Sequence, residues 1–461
     1  MKVLLIYPPF QLGAGMGKVM CSPPLSLLSL AGAAEDHDIE VLDLNTDYSY
    51  GIDKLERRIQ KYDMIGLTCM SNMYKMAINI CKLAKQNDVQ TILGGFHPTL
   101  DPHIIEDYNY FDYIIRGEGE FTFKELLDGK PKKEILGLSY RDNGNIHHNP
   151  KRPFLQNLDD LPYPKKDLLD YSPYHYLWVP ADVVEGSRGC PFSCNFCCVT
   201  KFYNRLYRAK SPMRVLRELY QVPQSQDLVF FVDDNFTLNY KRVLKICSLI
   251  QKTHLNSKLR FVCQTRVDDI AAHPDMVREM KKAGFICFFM GFESFKQSSL
   301  NTMQKSYSVD KIKSAINICK KNNIMVFGSF IIGNIGETYD DVLFNIKMMS
   351  KLGLDFMMTN PLTAFPNTPL FYEAREHGWI DSDFKWEEWD FGPMMKTPDL
   401  SINDIKELLD LSYESFYKNP KWLLLDKIKG IKNLFSPDAG WLFKQLGRFF
   451  SNGISKFIMR I

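Results

Sequence analysis

The chain lacks any apolar stretch approaching the ~20 residues that span a bilayer. Its opening, Met1-Lys2-Val3-Leu4-Leu5-Ile6-Tyr7-Pro8-Pro9, has too short an apolar run for a signal peptide and reads as a first strand. It also lacks a dominant charge, the net value being +3. The asymmetry that exists sits in residues 421–461, with eight Lys/Arg against two Asp, so the rest is slightly acidic and gives no support for nucleic-acid binding. Eleven cysteines show no regular pattern, which excludes a disulfide framework and points to the reducing cell interior. No second CxxC unit accompanies the one present, which weakens a structural zinc site. At 461 residues the chain is too long for one core, so two or three domains are expected, and 45% hydrophobic with 24% charged residues is ordinary globular composition.

What is there is a cysteine triplet. Cys190-Pro-Phe-Ser-Cys194-Asn-Phe-Cys197 follows an Arg188-Gly189 turn and supplies three thiolates, enough for three irons of a [4Fe–4S] cube. The fourth iron is left open to bind and reduce a ligand. Zinc is the competing reading, but Cys247, Cys263 and Cys287 lie isolated along the chain. Cys198, beside the third ligand, reads as a buried small hydrophobe.

Before the triplet, Val3–Tyr7, Glu40–Leu44, Met64–Met70, Thr91–Gly95 and Tyr113–Arg116 read as strands, with helical periodicity between them. This alternation predicts a doubly wound parallel sheet, flavodoxin-like in order, over residues 1–150. Ligands in such folds bind outside the carboxyl ends of the strands. Pro8 and Pro9 fall there after the first strand, Thr68 and Ser71 after the third, Gly94-Gly95-Phe96-His97-Pro98-Thr99 after the fourth and Gly117-Glu118-Gly119-Glu120 after the fifth. Paired glycines let backbone approach a bulky ligand, and helix-start N–H groups suit a phosphate; tight turns are the plainer reading. Asn143-Gly144 predicts a hairpin between Leu138–Arg141 and Asn145–His148, and residues 151–180 form a proline-pinned linker.

Over residues 181–395, strands near 182–187, 227–232, 258–263, 285–290, 324–331 and 355–360 predict a partial (β/α)6 barrel of TIM type. Asp233 and Asp234 end the second strand, where carboxylates can hold an ammonium group or cap the next helix. Arg266 ends the third strand, and Glu293 and Ser294 end the fourth. Arg266 can pair bidentately with a carboxylate or phosphate, and either charge can instead serve a structural ion pair. The tail, 396–461, is expected to be helical. Leu424, Ile428, Ile431 and Phe435 share one face, with Leu442, Leu446, Phe449 and Phe450 in a second stripe. These stripes either cover the barrel or lie on an anionic membrane.

With Phe196 before its last cysteine, the triplet resembles the signature of the radical S-adenosylmethionine enzymes. The GGxHPT and GEGE segments resemble those of the branch with an N-terminal cobalamin-binding domain, and the resemblance covers all but the tail. It implies a [4Fe–4S] cluster on Cys190, Cys194 and Cys197. It places S-adenosylmethionine against Phe196, Asp233, Asp234, Arg266, Glu293, Ser294 and the glycine-rich adenine support around Gly333. It places cobalamin near Pro8, Thr68, Ser71, Gly94, Gly95, His97, Gly117 and Glu118. Departures exist. No DxHxxG follows the first strand, and Asp101-Pro-His103-Ile-Ile-Glu106 ends in glutamate and follows the fourth, so no histidine is expected on the cobalt. His97 and His103 are then turn or surface histidines. The segment Gly328–Thr338 departs from the GxIxGxxE form, and Asn367 replaces the glycine of a Pro-Gly-Thr-Pro turn.

The resemblance further implies one-electron cleavage of S-adenosylmethionine to a 5′-deoxyadenosyl radical. Methyl transfer to an unactivated carbon or phosphorus of a small-molecule or lipid-like substrate then follows, with a second S-adenosylmethionine as methyl source. Radical cyclisation or oxidation, as in the anaerobic porphyrin ester cyclases, is the enzymatic alternative; a non-catalytic iron–sulfur sensor is the third. A flavodoxin or ferredoxin reductant and a cytoplasmic location, at the inner membrane face if the tail binds lipid, complete these expectations.

Overall fold

The computed structural model describes residues 1–9, 20–47, 50–176 and 179–418, so the two tail stripes lie outside the described residues. The N-terminal strands are β1 (Lys2–Tyr7), β2 (Met20–Cys21), β3 (Asp38–Asp43), β4 (Met64–Thr68), β5 (Gln90–Gly94), β6 (Tyr113–Ile115), β7 (Leu138–Asp142) and β8 (Asn145–His148). All but β2 form one sheet in the order β3-β1-β4-β5-β6-β7-β8. It is parallel through β6, and its first five strands have the flavodoxin-like order expected. Pleat alternation explains the double winding: Leu4 and Ile6 enter the core on one face, while Val3 and Leu5 enter the core on the other. The hairpin β7–β8 turns at Asn143 and Gly144, both at positive φ, and extends the sheet antiparallel to β6.

The second sheet contains β9 (His175–Tyr176), β10 (Val179–Val184), β13 (Leu228–Phe231), β14 (Arg260–Thr265), β15 (Phe285–Glu293), β16 (Met325–Ile332) and β17 (Phe356–Pro361), while β11 (Ser187–Arg188) and β12 (Arg208–Ala209) pair separately. The order β17-β16-β15-β14-β13-β10 is parallel throughout and makes the predicted partial barrel. β9 and β2 continue it antiparallel on the β10 side, so residues that precede the first helix are built into the barrel sheet. The outer core is dominated by phenylalanines such as Phe231, Phe261, Phe285, Phe288 and Phe330 beneath the crossover helices. Each is worth roughly 1.5–3 kcal/mol of burial. Past the last strand, the helix Ile402–Tyr417 seals the far edge: Tyr417 Oη donates to the carbonyl of Met357 at 2.7 Å and Tyr413 Oη to that of Thr359 at 3.1 Å.

The connecting residues are not a free tether. Lys165 N–H donates to the carbonyl of Leu28 at 3.0 Å, and Tyr174 Oη donates to Asp43 at 3.2 Å. Both contacts hold the segment before the barrel against the first sheet.

Candidate functional site

The cysteine loop leaves β11 at Gly189, whose φ is +84°. A β-carbon there would stand 2.0 Å from the carbonyl oxygen of Leu206, so no other residue fits. Cys194 is buried, and Cys190 and Cys197 are half-buried. The loop is pinned at several points: Cys197 N–H donates to Cys194 O at 3.2 Å, and Leu370 N–H donates to Asn195 O at 3.2 Å. Burial pushes the Cys190 thiol up and the Cys197 thiol up to about 11. As thiolates, therefore, they call for cationic partners. Iron would be the main one, and two side chains add to it. The Arg266 guanidinium lies 3.4 Å over the ring of Phe192 within the loop, and Lys305 Nζ lies 5.5 Å from the ring centre of Phe196. Three thiols on one short loop, flanked by cations, fit an anionic iron–sulfur cube. Cys198 opens the helix Cys198–Phe202 and is half-buried rather than fully enclosed.

The strand ends expected to hold S-adenosylmethionine surround this loop, yet several side chains are already committed. Asp233 is fully buried and accepts from the Gly186 N–H at 2.8 Å and from the Ser187 hydroxyl. Burial raises it to about 6 against the opposing pull of Arg242. Each of its two oxygens is thus taken by a donor of the protein itself. Asp234 accepts from Gly189 N–H at 2.9 Å and is raised to about 7, chiefly by burial and also by Asp233 and Glu185. Of the two aspartates, only this one adjoins the cysteine loop with capacity left for an ammonium.

Arg266 is bonded to Asp268 at 2.9 Å and 3.2 Å and to Ser306 at 2.9 Å, so its bidentate face is used internally. Glu293 pairs with Lys305, and Ser294 donates to the buried Glu337 at 2.6 Å. Asn334 and Asn345 complete the acceptor set of Glu337. Gly333, at positive φ, backs onto Ile405 of the C-terminal helix. Arg266, Glu293, Ser294 and Gly333 are thus tied into the barrel mouth by contacts within the protein.

In the first domain a cavity of about 300 Å³ opens at the carboxyl ends of β1, β4, β5 and β6. Thr68, Gly94, Gly95, Gly117 and Glu118 line it as expected, whereas Pro8, Ser71 and His97 do not. The Pro8 carbonyl accepts from the Asn45 side-chain amide at 3.1 Å. Ser71 is spent on His97 Nδ1 at 2.9 Å. His97 is fully buried, stacked on Tyr74 with 4.3 Å between ring centres, and burial lowers it to about 3. It is a core residue, neither a cavity ligand nor the surface histidine expected. His103 does lie on the surface, bonded to Glu106 at 2.8 Å.

The cavity has an apolar floor of Leu5, Leu30, Ile92 and Phe123 around Gly66, and a hydroxyl rim of Ser26, Ser29 and Thr68. At Gly95, with φ +104°, a β-carbon would stand 2.8 Å from both N and O of Cys69, so backbone alone shapes that wall. An aromatic base on a hydroxylated nucleotide arm fits this lining, and the volume suits the arm rather than a whole corrin. The opposite wall comes from the barrel: Glu185, Arg188, Phe202 and Tyr203. Sequence reading missed Ser26, Ser29, Arg188, Lys305 and Tyr203. Only Arg188, beside the glycine turn, carried a visible signal.

Comparison with known proteins agrees with this arrangement. The radical SAM superfamily model matches residues 184–349, and the B12-binding domain model matches residues 19–127. An uncharacterized methyltransferase of Pyrococcus horikoshii is 33% identical over 440 residues, covering 92% of this chain and 94% of that one. The anaerobic magnesium-protoporphyrin IX monomethyl ester cyclase of Cereibacter sphaeroides is 26% identical, covering 90% and 70%. Among solved structures, the radical S-adenosylmethionine methyltransferase TsrM from Kitasatospora setae, with cobalamin and a [4Fe–4S] cluster bound, superposes with a TM-score of 0.66 at 17% identity, over 82% of this chain and 75% of that one. Two cofactor domains in this order, with a relative spanning nearly the whole chain, make this protein an enzyme of the cobalamin-binding radical S-adenosylmethionine family, whose cofactors are a [4Fe–4S] cluster, S-adenosylmethionine and cobalamin.

Proposed function

We propose that this enzyme methylates an unactivated carbon, or phosphorus, of a small-molecule or lipid-like substrate. One observation carries the reading: a single cavity is walled by the glycine turns of the cobalamin domain on one side and by Glu185, Arg188, Phe202 and Tyr203, which flank the cysteine loop, on the other. Such a wall would let a methyl carrier on one side face a radical source on the other. When bound, the cluster supplies an electron and an open iron, and cobalamin supplies a transferable methyl group.

The chain's own residues do the rest. Cys190, Cys194 and Cys197 would hold the cluster, and Asp234 would orient the ammonium of S-adenosylmethionine. Phe196 packs against a hydrophobic cluster that includes Trp389, Met394 and Met395, an apolar wall beside the cysteine loop. An apolar, closed wall there keeps dissolved reductants and weak hydrogen donors away from a carbon radical. A one-electron reductant such as a flavodoxin or ferredoxin is required.

The test is anaerobic reconstitution with iron, sulfide and cobalamin, followed by incubation with reductant, S-adenosylmethionine and a small-molecule extract of the source cells. S-adenosylhomocysteine formed in step with 5′-deoxyadenosine supports methyl transfer. 5′-Deoxyadenosine with no S-adenosylhomocysteine overturns it in favour of oxidation or of cyclisation, and a cyclase is what the Cereibacter relative is named. Among the described residues no helix is long and apolar enough to cross a membrane.

A further inference from the structure

We infer that Arg188 is a positioning residue. Through Glu118 and Glu120 it locks the cysteine loop of the barrel onto the cobalamin domain and so sets the separation of the two cofactors. This rests on the cofactor assignment and methyl-transfer reading above.

Arg188 stands two residues before Cys190 and is nearly enclosed, with 7% of its side chain exposed. All three guanidinium nitrogens are used. Nη2 donates to Glu120 at 2.6 Å, Nη1 to Glu118 at 3.0 Å and Nε to Glu185 at 2.9 Å. Glu118 lies in the turn after β6 and Glu120 opens the helix Glu120–Leu127 that follows it in the first domain, whereas Glu185 follows β10 in the second. Arg208 grips Glu118 a second time, at 2.8 Å and 2.9 Å. Lys210 and Arg214 each pair with Glu218 at 2.8 Å, so four buried bases meet four acids, of which Glu120 and Glu218 are buried and Glu118 and Glu185 half-buried.

Such a network is a poor source of net stability, because desolvation consumes most of the Coulombic gain and apolar side chains would hold the surfaces as well. What a planar fork with three carboxylates adds is direction: translation or rotation of the loop breaks several charge-assisted bonds together. The downstream end of the loop is tied in the same way. Phe202, closing the helix after Cys197, packs against Phe96 beside Gly95 with the rings tilted by 33° and 4.4 Å between their centres. Both ends of the cluster loop are therefore anchored to the two glycine turns that line the cobalamin cavity. Radical transfer demands this, since a misplacement of ~1 Å costs on the order of 100-fold in rate.

Arg188→Lys keeps the charge but loses the fork, and Glu120→Gln removes one arm. Arg214→Lys perturbs the same network without touching the first domain's carboxylates, and controls for lost stability. Each protein is reconstituted with iron, sulfide and hydroxocobalamin. Iron and cobalamin are counted, and spin–spin coupling between cob(II)alamin and the reduced cluster is read by electron paramagnetic resonance. The ratio of 5′-deoxyadenosine to S-adenosylhomocysteine is measured alongside. We expect Arg188→Lys and Glu120→Gln to keep both cofactors, to show weaker coupling than wild type, and to raise the ratio about tenfold as cleavage uncouples from transfer. Arg214→Lys should lower only the melting temperature. Wild-type coupling and ratio in both Arg188→Lys and Glu120→Gln overturn the inference and leave the function standing. A wild-type protein that retains no cobalamin overturns both. If Arg188→Lys does not fold, Glu120→Gln decides alone.

Discussion

The Lys305 ammonium lies 2.6 Å from Oε1 of Glu293 at the barrel mouth, with only 10% and 8% of the two side chains exposed. Glu293 sits at φ +60°, a conformation that L-residues rarely adopt, where β15 gives way to the loop beside the cysteines. The pair holds that turn and places a cation over Phe196. Burial opposes its charge, but Glu293 and Tyr307 hold the Lys305 amine well above the usual lysine range.

Lys305→Met leaves the Glu293 carboxylate buried without its partner. The expected loss is about 3–5 kcal/mol in chemical unfolding of the cluster-free protein. Lys305→Met with Glu293→Leu should recover most of it, because the uncompensated charge is gone. A double variant no more stable than the single one would show that the cation itself holds the barrel mouth.

Alanine at Cys190, Cys194 or Cys197 should each abolish the visible absorbance of the reconstituted cluster and lower bound iron to background. Cys198→Ala should leave both at the wild-type level, since its thiol opens a helix beside the ligand set. Iron and sulfide counts on the four variants check the assignment, and loss of the cluster in Cys198→Ala would contradict it.

Asp233 and Asp234 should separate cleanly. Asp234→Asn should weaken S-adenosylmethionine binding on the order of tenfold or more by anaerobic calorimetry, with little change in folding. Only the carboxylate attracts an ammonium, so wild-type affinity should increase as pH rises towards about 7 and level off above, and the variant should be flat. A raised acid also makes the folded state bind its proton more tightly than the unfolded one, so its carboxylate costs stability above about 7. Asp234→Asn should therefore be relatively more stable at pH 8 than at pH 5. Asp233→Asn should instead lower the melting temperature, because the Gly186 N–H and the Ser187 hydroxyl lose an anionic acceptor.

His97 gives the opposite pH sign. Its folded value is lowered to about 3, so the unfolded chain binds a proton that the native core does not between there and the ordinary imidazole range. Stability should fall as pH drops through 6.5, by about 2 kcal/mol at pH 5 from this group alone. Replacing it by phenylalanine, which keeps the stack on Tyr74, should flatten the thermal stability profile between pH 5 and 7 relative to wild type. An unchanged slope would place the titration elsewhere.

Two things were readable along the chain. The CxxxCxxC spacing fixes three thiolates on one loop whatever surrounds them, and β-rich runs alternating with helical periodicity announce two wound parallel sheets. Both signals are local: ligand spacing within eight residues, and side-chain periodicity within single elements. The strand ends bearing Thr68, Gly94, Gly95, Gly117 and Glu118 could be marked in the same way, since the carboxyl ends of parallel strands share one edge.

Which of the marked side chains remain free was not readable, because several are claimed by partners far away in sequence. Glu120 meets Arg188 across 68 positions, Asp233 meets Ser187 across 46 and Ser294 meets Glu337 across 43. Adjacent aspartates with the same local pattern end in opposite roles, one enclosed and one beside the cysteine loop. His97 follows a glycine turn like a ligand yet points into the core. Spacing along the chain sets what a segment can coordinate, whereas docking of the two sheets sets which charges are desolvated together. The cysteine spacing belongs to the first, and the ion-pair network of Arg188 with Glu118, Glu120 and Glu185 belongs to the second.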